Sequence, residues 1–147
     1  MIFFKPKKKQ PAPKKLAFKD FTISNYKHTP INKYKLENED YDLGVKGIVD
    51  NCLEDIEIYR FTYDHLRPEL RKVGDHYEVY IREEKAGDLD PAQSAGFDSF
   101  VSGLDSYELK FSLEGGPFKY YDSSDEKIKT GRHDYSAFVC VKYYENP

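Results

Sequence analysis

The stretch 73–104 most constrains what this chain folds into, because it reads VGDHYEVYIREEKAGDLDPAQSAGFDSFVSGL. Residues 76–82 alternate polar and apolar side chains, which is typical of a half-buried strand whose successive side chains point to opposite faces. The following EEKAG ends in Gly87, which is free to adopt a positive φ angle, so we predict a turn over 83–87. A short strand and a helix then follow.

Three residues predict where that helix begins. Asp90 accepts hydrogen bonds from free N–H groups, Pro91 suits the first helical position, and Gln93 is a capping-box partner. The next apolar residues recur at i, i+3, i+4 and i+7, which predicts a helix with one buried face; they are Phe97, Phe100, Val101 and Leu104.

The remaining apolar patterns predict the other elements of the fold. Helical spacing over 42–57 predicts a second helix, in which Val45, Ile48, Val49, Cys52, Leu53 and Ile56 form the apolar stripe. Strands are expected in 16–26, 55–63, 107–113, 118–121 and 135–144, a charged connection in 64–74, a turn at 115–117 and an exposed hairpin loop over 122–133. Phe18, Phe21 and Ile23 are candidate core residues of the first strand. This order predicts an α+β domain, a small twisted, partly closed β-barrel with one or two short helices.

The charge of the chain is unevenly distributed. Residues 1–19 carry seven lysines and no acid, and the rest holds 16 basic and 26 acidic residues, a formal charge of −10. We therefore expect a mobile Lys/Pro-rich arm over 1–15 and one globular domain over 16–147. The arm includes Lys7, Lys8 and Lys9. It has two interpretations: an electrostatic anchor that binds nucleic acid or an acidic partner, and a leader that only increases solubility.

No motif in the sequence supports an enzyme, a cofactor or a metal site. Cys52 and Cys140 lack ligand-like spacing; a disulfide between them is possible but not implied, and the alternative is two small core residues of a reduced protein. The four histidines lack the paired spacing that metal sites use and are expected at the surface; they are His28, His65, His76 and His133. No apolar run is long enough for a signal peptide or a membrane span, so a soluble, cytoplasmic protein is expected.

The chain resembles the HIRAN domain over about residues 16–144. The resemblance rests on an early strand at 18–26, on EIYRF with its embedded Arg60, on EVYIREEKAGDLDPAQSAGFDSFV, and on strands that return through a glycine pair. The family's Asn-Pro-x-Asp run is not present as such, and either Tyr63-Asp64 or Gly74-Asp75 stands where its aspartate belongs. Asp88 follows Gly87, where an uncharged residue is more usual.

The resemblance implies a barrel of OB- or SH3-like character that binds DNA, especially single-stranded 3′ ends. The residues that match the binding roles are Tyr26, Arg60, Tyr63 and Asp64. An aromatic ring would stack on an exposed base, an arginine would pair with phosphate, and a carboxylate would accept a hydrogen bond from a terminal sugar hydroxyl.

The acidic charge of residues 20–147 favours a different function, because a protein with that charge repels a polyanion beyond any local basic patch. The alternative is an acidic, tyrosine-rich protein-interaction module, such as a phage- or mobile-element-type inhibitor or adaptor that binds a basic partner and no nucleic acid. The arrangement of charges discriminates between the two. A shared face of Lys19, Lys27, Arg60, Arg67, Arg71 and Lys72 favours nucleic acid, and a continuous face of Glu37, Glu39, Asp40, Asp42, Glu54 and Asp55 favours the protein partner.

Overall fold

The computed structural model describes residues 14–63 and 65–145. Its strands are β1 (Lys15–Thr22), β2 (Leu36–Glu37), β3 (Ile58–Tyr59), β4 (Phe61–Thr62), β5 (Glu69–Val73), β6 (His76–Ile81), β7 (Glu84–Leu89), β8 (Glu108–Asp122) and β9 (Lys127–Glu145). Its helices are α1 (Thr29–Asn32), α2 (Val45–Asp50) and α3 (Pro91–Ser102), with a 3₁₀ turn at Glu39–Asp42. The predicted α+β class is confirmed in a β-rich form.

The strands form antiparallel sheets in the order β1-β9-β8-β3, β5-β6-β7 and β2-β4. These sheets do not close into a barrel within the described residues, but two backbone contacts connect the larger ones. Ser24, just beyond β1, pairs with Asp88 of β7 through hydrogen bonds of 2.7 and 2.9 Å. Phe111 of β8 donates its N–H to the carbonyl of Leu66, which precedes β5, over 2.9 Å.

The longest element is the β8–β9 hairpin, whose strands pair from Glu108 opposite Lys142 to Asp122 opposite Lys127, with one shift of register. The predicted turn at 115–117 is wrong, because the chain continues there through a β-bulge. A Cβ on Gly115 would lie 2.2 Å from the carbonyl oxygen of Asp134, so only glycine fits this close approach. The loop predicted over 122–133 is correspondingly short, and most of it is strand.

The predicted strand at 76–82 is confirmed as β6, but the turn after it lies earlier than expected. Arg82 and Glu83 make the turn with φ angles of 46° and 71°. Gly87 lies inside β7, where a Cβ would come within 2.4 Å of the Ile23 side chain. The glycine therefore allows a close approach between strands, and it does not make the turn.

The predicted helix α3 is confirmed with its cap. The Asp90 carboxylate accepts a hydrogen bond from the Gln93 N–H over 2.7 Å. The Gln93 side chain does not close a capping box but accepts a hydrogen bond from the N–H of Thr22 over 3.0 Å, so that it holds the end of β1. Phe97 is buried in the main core, whose members are Phe21, Ile23, Ile31, Leu66, Val79, Ile81, Ala86, Leu89, Phe97, Phe111, Ala137, Val139 and Val141. Phe18 lies outside this core and is 54% exposed, which corrects the expectation for that residue.

Further expectations are corrected between residues 42 and 63. The helix predicted over 42–57 is limited to the six residues of α2, because Cys52 adopts a φ angle of 57° and the Asn51 side chain donates to the Gly47 carbonyl over 2.7 Å. Cys52 is exposed, which corrects its interpretation as a core residue, whereas Cys140 is buried. The strand predicted over 55–63 is divided at Arg60 into β3, which pairs with β8, and β4, which pairs with β2.

The connection predicted over 64–74 contains strand β5, whose charged residues had indicated an exposed connection. Arg71 lies 3.8 Å from the centroid of the Tyr80 ring, and the Lys72 ammonium lies 4.4 Å from that of Tyr77. These contacts to β6 let charged side chains occupy an edge strand, since their aliphatic stems pack on the rings and the charged ends reach water.

Candidate functional site

Four aromatic side chains meet in what we call the tyrosine–histidine cluster, formed by Tyr26, His28, Tyr63 and Tyr135. The imidazole of His28 stacks on the Tyr135 ring with a centroid distance of 3.9 Å and an interplanar angle of 10°. The Tyr26 hydroxyl lies 3.0 Å from His28 Nδ1, and the Tyr63 hydroxyl lies 3.4 Å from Nε2. His28 therefore has a tyrosine hydroxyl at each ring nitrogen.

Local backbone conformation brings these side chains together from distant parts of the chain. Tyr26 follows Asn25, which has a φ angle of 53°, directly after the backbone pairing that joins β1 to β7. His28 precedes α1 and accepts, at its carbonyl, the first hydrogen bonds of that helix. Tyr63 follows β4, and His65 beyond it has a φ angle of 63°. Asparagine and histidine are among the residues that tolerate the left-handed region best, and such conformations are concentrated at functional sites.

Burial favours the uncharged forms of Tyr26, Tyr63 and His28. It raises the pKa values of Tyr26 and Tyr63 above the ordinary tyrosine value, with smaller contributions from the neighbouring tyrosine hydroxyls. Burial also lowers the pKa of His28, and the positive charges of Arg132 and Lys35 lower it further, against a hydrogen bond to Asn32 that raises it. A neutral imidazole has one N–H and one lone pair, so one tyrosine hydroxyl donates to the ring and the other accepts from it.

Lys35 and Arg132 act on His28 of the cluster, and Arg60 shares the ring of Phe61 with Lys35; we call these three residues the cationic rim. The Lys35 ammonium and the Arg60 guanidinium lie 4.7 and 5.0 Å from the centroid of the same Phe61 ring. Arg132 lies 5.7 Å from the centroid of Tyr135. Of the three, Arg132 and Lys35 contribute to the lowered pKa of His28. The site therefore combines uncharged aromatic surface with local positive charge.

A groove of about 860 Å³ adjoins the cluster at Tyr63. It runs between the first half of β8 and residues 56–67, and aromatic and aliphatic side chains make up about half of its lining residues. Its charged residues are mixed, since Arg67 and Lys110 are accompanied by Asp40, Glu57, Glu108 and Glu114. The positive character of the site is thus confined to the cationic rim.

The structure brings two of the predicted binding residues to the same histidine and places a third against the ring of Phe61. Tyr26 and Tyr63 both belong to the cluster, and Arg60 lies in the cationic rim. Asp64, Lys7, Lys8 and Lys9 lie outside the described residues.

Sequence reasoning missed His28 and Tyr135. His28 was expected at the surface, but it is half-buried. Its spacing of two residues from Tyr26 was the only local signal, and Tyr135 gave none, because it meets the cluster only through the β8–β9 pairing.

The structure treats the expected basic face and the expected acidic face differently. Arg71 and Lys72 are consecutive in β5, so their side chains leave opposite faces of the sheet, and they pair with Glu69 and Asp98 respectively. The expected basic face is thus not assembled at these two residues. Acidic residues do converge elsewhere, since Glu54, Asp55 and Glu57 line a second groove of about 420 Å³ together with Ile56, Phe118, Tyr120 and Tyr121.

No family model, no curated protein and no solved structure matches this chain. The described residues contain no grouping of three or more His, Cys, Asp or Glu side chains that could hold a metal ion. Nor does any helix in this part of the chain have the length and apolar character needed to cross a membrane. The candidate site is therefore defined by its own geometry.

Proposed function

We propose that this chain is a non-catalytic nucleic-acid-binding domain of the HIRAN type, which binds a single DNA strand or a DNA end at the tyrosine–histidine cluster. The observation that carries the proposal is the convergence of Tyr26 and Tyr63 around His28, next to the cationic rim. These tyrosines match the aromatic binding residues that the family resemblance implies.

The chemistry of the cluster suits an unpaired nucleotide. Every base has a π-face, and stacking on an aromatic side chain contributes ~1–3 kcal/mol per base. Phosphate contacts from Lys35, Arg60 and Arg132 would position the strand beside the rings. Bases in a duplex are already stacked on each other, so a site built from ring faces favours single strands or frayed ends.

The two contacts between sheets support the finer part of the fold proposal. The Ser24–Asp88 pairing and the Phe111–Leu66 hydrogen bond connect β1 to β7 and β8 to the segment before β5. Together with the regular sheets they trace a nearly continuous circuit β1-β9-β8-β5-β6-β7. This is the path expected of a partly closed, OB- or SH3-like barrel.

The proposal requires local rather than global electrostatic attraction. Residues 20–147 carry a net charge of −10, so phosphates far from the cationic rim are repelled. If the three rim cations contact phosphates, the logarithm of affinity should fall with the logarithm of salt concentration with a slope of about −2. A much steeper slope would indicate attraction by the lysines of the arm.

Fluorescence anisotropy with short labelled single strands, with a free or blocked 3′ end, tests the proposal. Tyr63→Ala should weaken binding about 5- to 150-fold, which corresponds to the loss of one stacking contact. Tyr107→Ala is the matched control, because Tyr107 is 42% exposed and lies outside the cluster. A triple variant, Lys7→Gln with Lys8→Gln and Lys9→Gln, separates the arm from the pocket. Equal losses in both tyrosine variants, or binding lost only in the lysine variant, would contradict the proposal.

The proposal places the domain in the cytoplasm. Cys52 and Cys140 are both free thiols, and a reducing compartment keeps such residues reduced. The exposed Cys52 would be prone to oxidation elsewhere.

A second candidate function, an acidic module that binds a basic protein, is favoured by one specific observation. Residues 37–57 contain eight acids and one lysine, and three of the acids line the aromatic groove at Phe118, Tyr120 and Tyr121. Carboxylates beside aromatic faces suit lysine and arginine side chains. A labelled lysine-rich peptide should bind this groove, and Glu54→Gln combined with Asp55→Asn should weaken that binding. Undiminished binding in that double variant would argue against this candidate.

A further inference from the structure

The outer edge of β1 presents backbone groups that no other described strand pairs with. β1 is a terminal strand of its sheet and hydrogen-bonds to β9 on one side. The N–H of Ile23 donates to Ala137 of β9, so odd-numbered residues of this segment face β9 and even-numbered residues face outward. The outward N–H of Thr22 donates to the Gln93 side chain, and Ser24 pairs with β7. Among residues 14–63 and 65–145, the part of the edge without a backbone partner is therefore at residues 16, 18 and 20.

An apolar patch borders this free edge. Leu16 and Phe18 are 40% and 54% exposed and lie on the same face of β1, opposite the face of the buried Phe21. Tyr144 of β9, directly opposite Leu16, is 57% exposed. A strand edge with unpaired backbone groups beside exposed apolar side chains is a template for pairing with another strand.

We propose that a second copy of this chain occupies the edge, by antiparallel pairing of β1 with β1 around a two-fold axis at Phe18. An axis that relates two antiparallel neighbouring strands stands perpendicular to the sheet, so it preserves the faces and passes through a residue position. With Phe18 at the axis, Phe18 faces Phe18 of the second copy, and Leu16 faces Asp20 of that copy. All of these residues have outward backbone groups, so the arrangement makes six hydrogen bonds between residues 16, 18 and 20 of the two copies.

Charge selects this register over its neighbours. An axis at Ala17 would place Lys15 opposite Lys19 of the second copy. An axis at Lys19 or at Asp20 would place each of those charges opposite its own equivalent. Like charges directly opposite each other are destabilising, whereas the axis at Phe18 places Lys19 opposite Ala17.

The small pairing surface implies a weak dimer, since specific stable interfaces bury about 1,200 Å² or more. Sedimentation velocity of the full chain without nucleic acid, from about 5 to 500 µM, should show a monomer that converts to a dimer as concentration rises. Phe18→Lys and Phe18→Glu should each weaken association at least tenfold, because each places like charges at the axis. An equimolar mixture of the two variants should associate again. Val73→Lys is the matched control, since Val73 is 45% exposed on β5 and away from this edge.

A second variant, Phe18→Pro, separates strand pairing from contact between side chains. It removes an N–H that faces outward, so the pairing of β1 with β9 and the melting temperature should be retained while the dimer is lost. A chain that stays monomeric at 500 µM, variants that associate as the parent chain does, or a mixture that stays monomeric would each overturn the proposal. Because no nucleic acid is present, these outcomes are independent of the proposed DNA binding.

Discussion

Gly87 allows β7 to approach the end of β1, and its replacement by alanine should destabilise the fold strongly. A Cβ at this position would lie 2.4 Å from Cγ2 of Ile23, 2.7 Å from the carbonyl oxygen of Ser24 and 3.4 Å from Cα of Tyr26. Ile23 is buried and Ser24 contributes backbone, so neither neighbour can move away freely. We expect β7 to be displaced from residues 23–26.

The magnitude follows from the contacts that this displacement breaks. Overpacking of a well-filled core costs about 1–3 kcal/mol. The two Ser24–Asp88 backbone hydrogen bonds adjoin the same site, and a typical hydrogen bond contributes about 0.5–1.5 kcal/mol net. Gly87→Ala should therefore lower the free energy of unfolding by about 2–6 kcal/mol, and the melting temperature by roughly 6–24 °C. Because Tyr26 is one of the three contacts, binding at the cluster should weaken as well.

Urea unfolding at neutral pH, followed by circular dichroism, measures this effect against Gly44→Ala. A Cβ at Gly44 would meet nothing within 4 Å, so that variant should change the free energy of unfolding by less than about 1 kcal/mol. A Gly87→Ala protein within ~0.5 kcal/mol of the parent chain, with an unchanged m-value, would refute the close-approach argument.

Three further outcomes are expected. Burial lowers the pKa of His28 in the folded protein, so below the ordinary histidine pKa of about 6.5 the unfolded chain binds more protons than the folded one, and stability should fall as the pH falls. His28→Asn should reduce this pH dependence, which urea unfolding at pH 7.5 and 5.0 measures. Ser94→Ala should lower the free energy of unfolding by ~1–3 kcal/mol, because the buried hydroxyl accepts from the Tyr77 N–H over 3.0 Å and donates to a β7 carbonyl over 2.9 Å; calorimetry with no change would contradict this. Burial raises the pKa of Cys140 to about 11, so a thiol reagent at pH 8 should label exposed Cys52 first, and equal rates would contradict the assignment.

The candidate site was only partly predictable from the sequence. Tyr26, Arg60 and Tyr63 were identified through the family resemblance; the structure places the two tyrosines at His28 and Arg60 against the ring of Phe61. His28 completes the cluster, but its sequence neighbourhood resembles that of an ordinary surface histidine. Contacts between residues more than a hundred positions apart, such as the stacking of His28 on Tyr135, leave no local pattern in a single sequence.

The sequence by itself determined the elements whose cause is local. Helix α3 follows from Asp90, Pro91 and an apolar spacing of three and four residues, and β6 follows from alternation, because both patterns act between near neighbours. Tertiary structure alone decided that the strand predicted over 55–63 changes its pairing partner at Arg60. It also decided that the charged segment of β5 forms a strand, whose aliphatic side-chain stems pack on the aromatic rings of β6. It also decided that β8 runs on through Gly115. In each case the free energy of pairing with a distant strand outweighs local turn and charge preferences, which differ by only about 1 kcal/mol per residue.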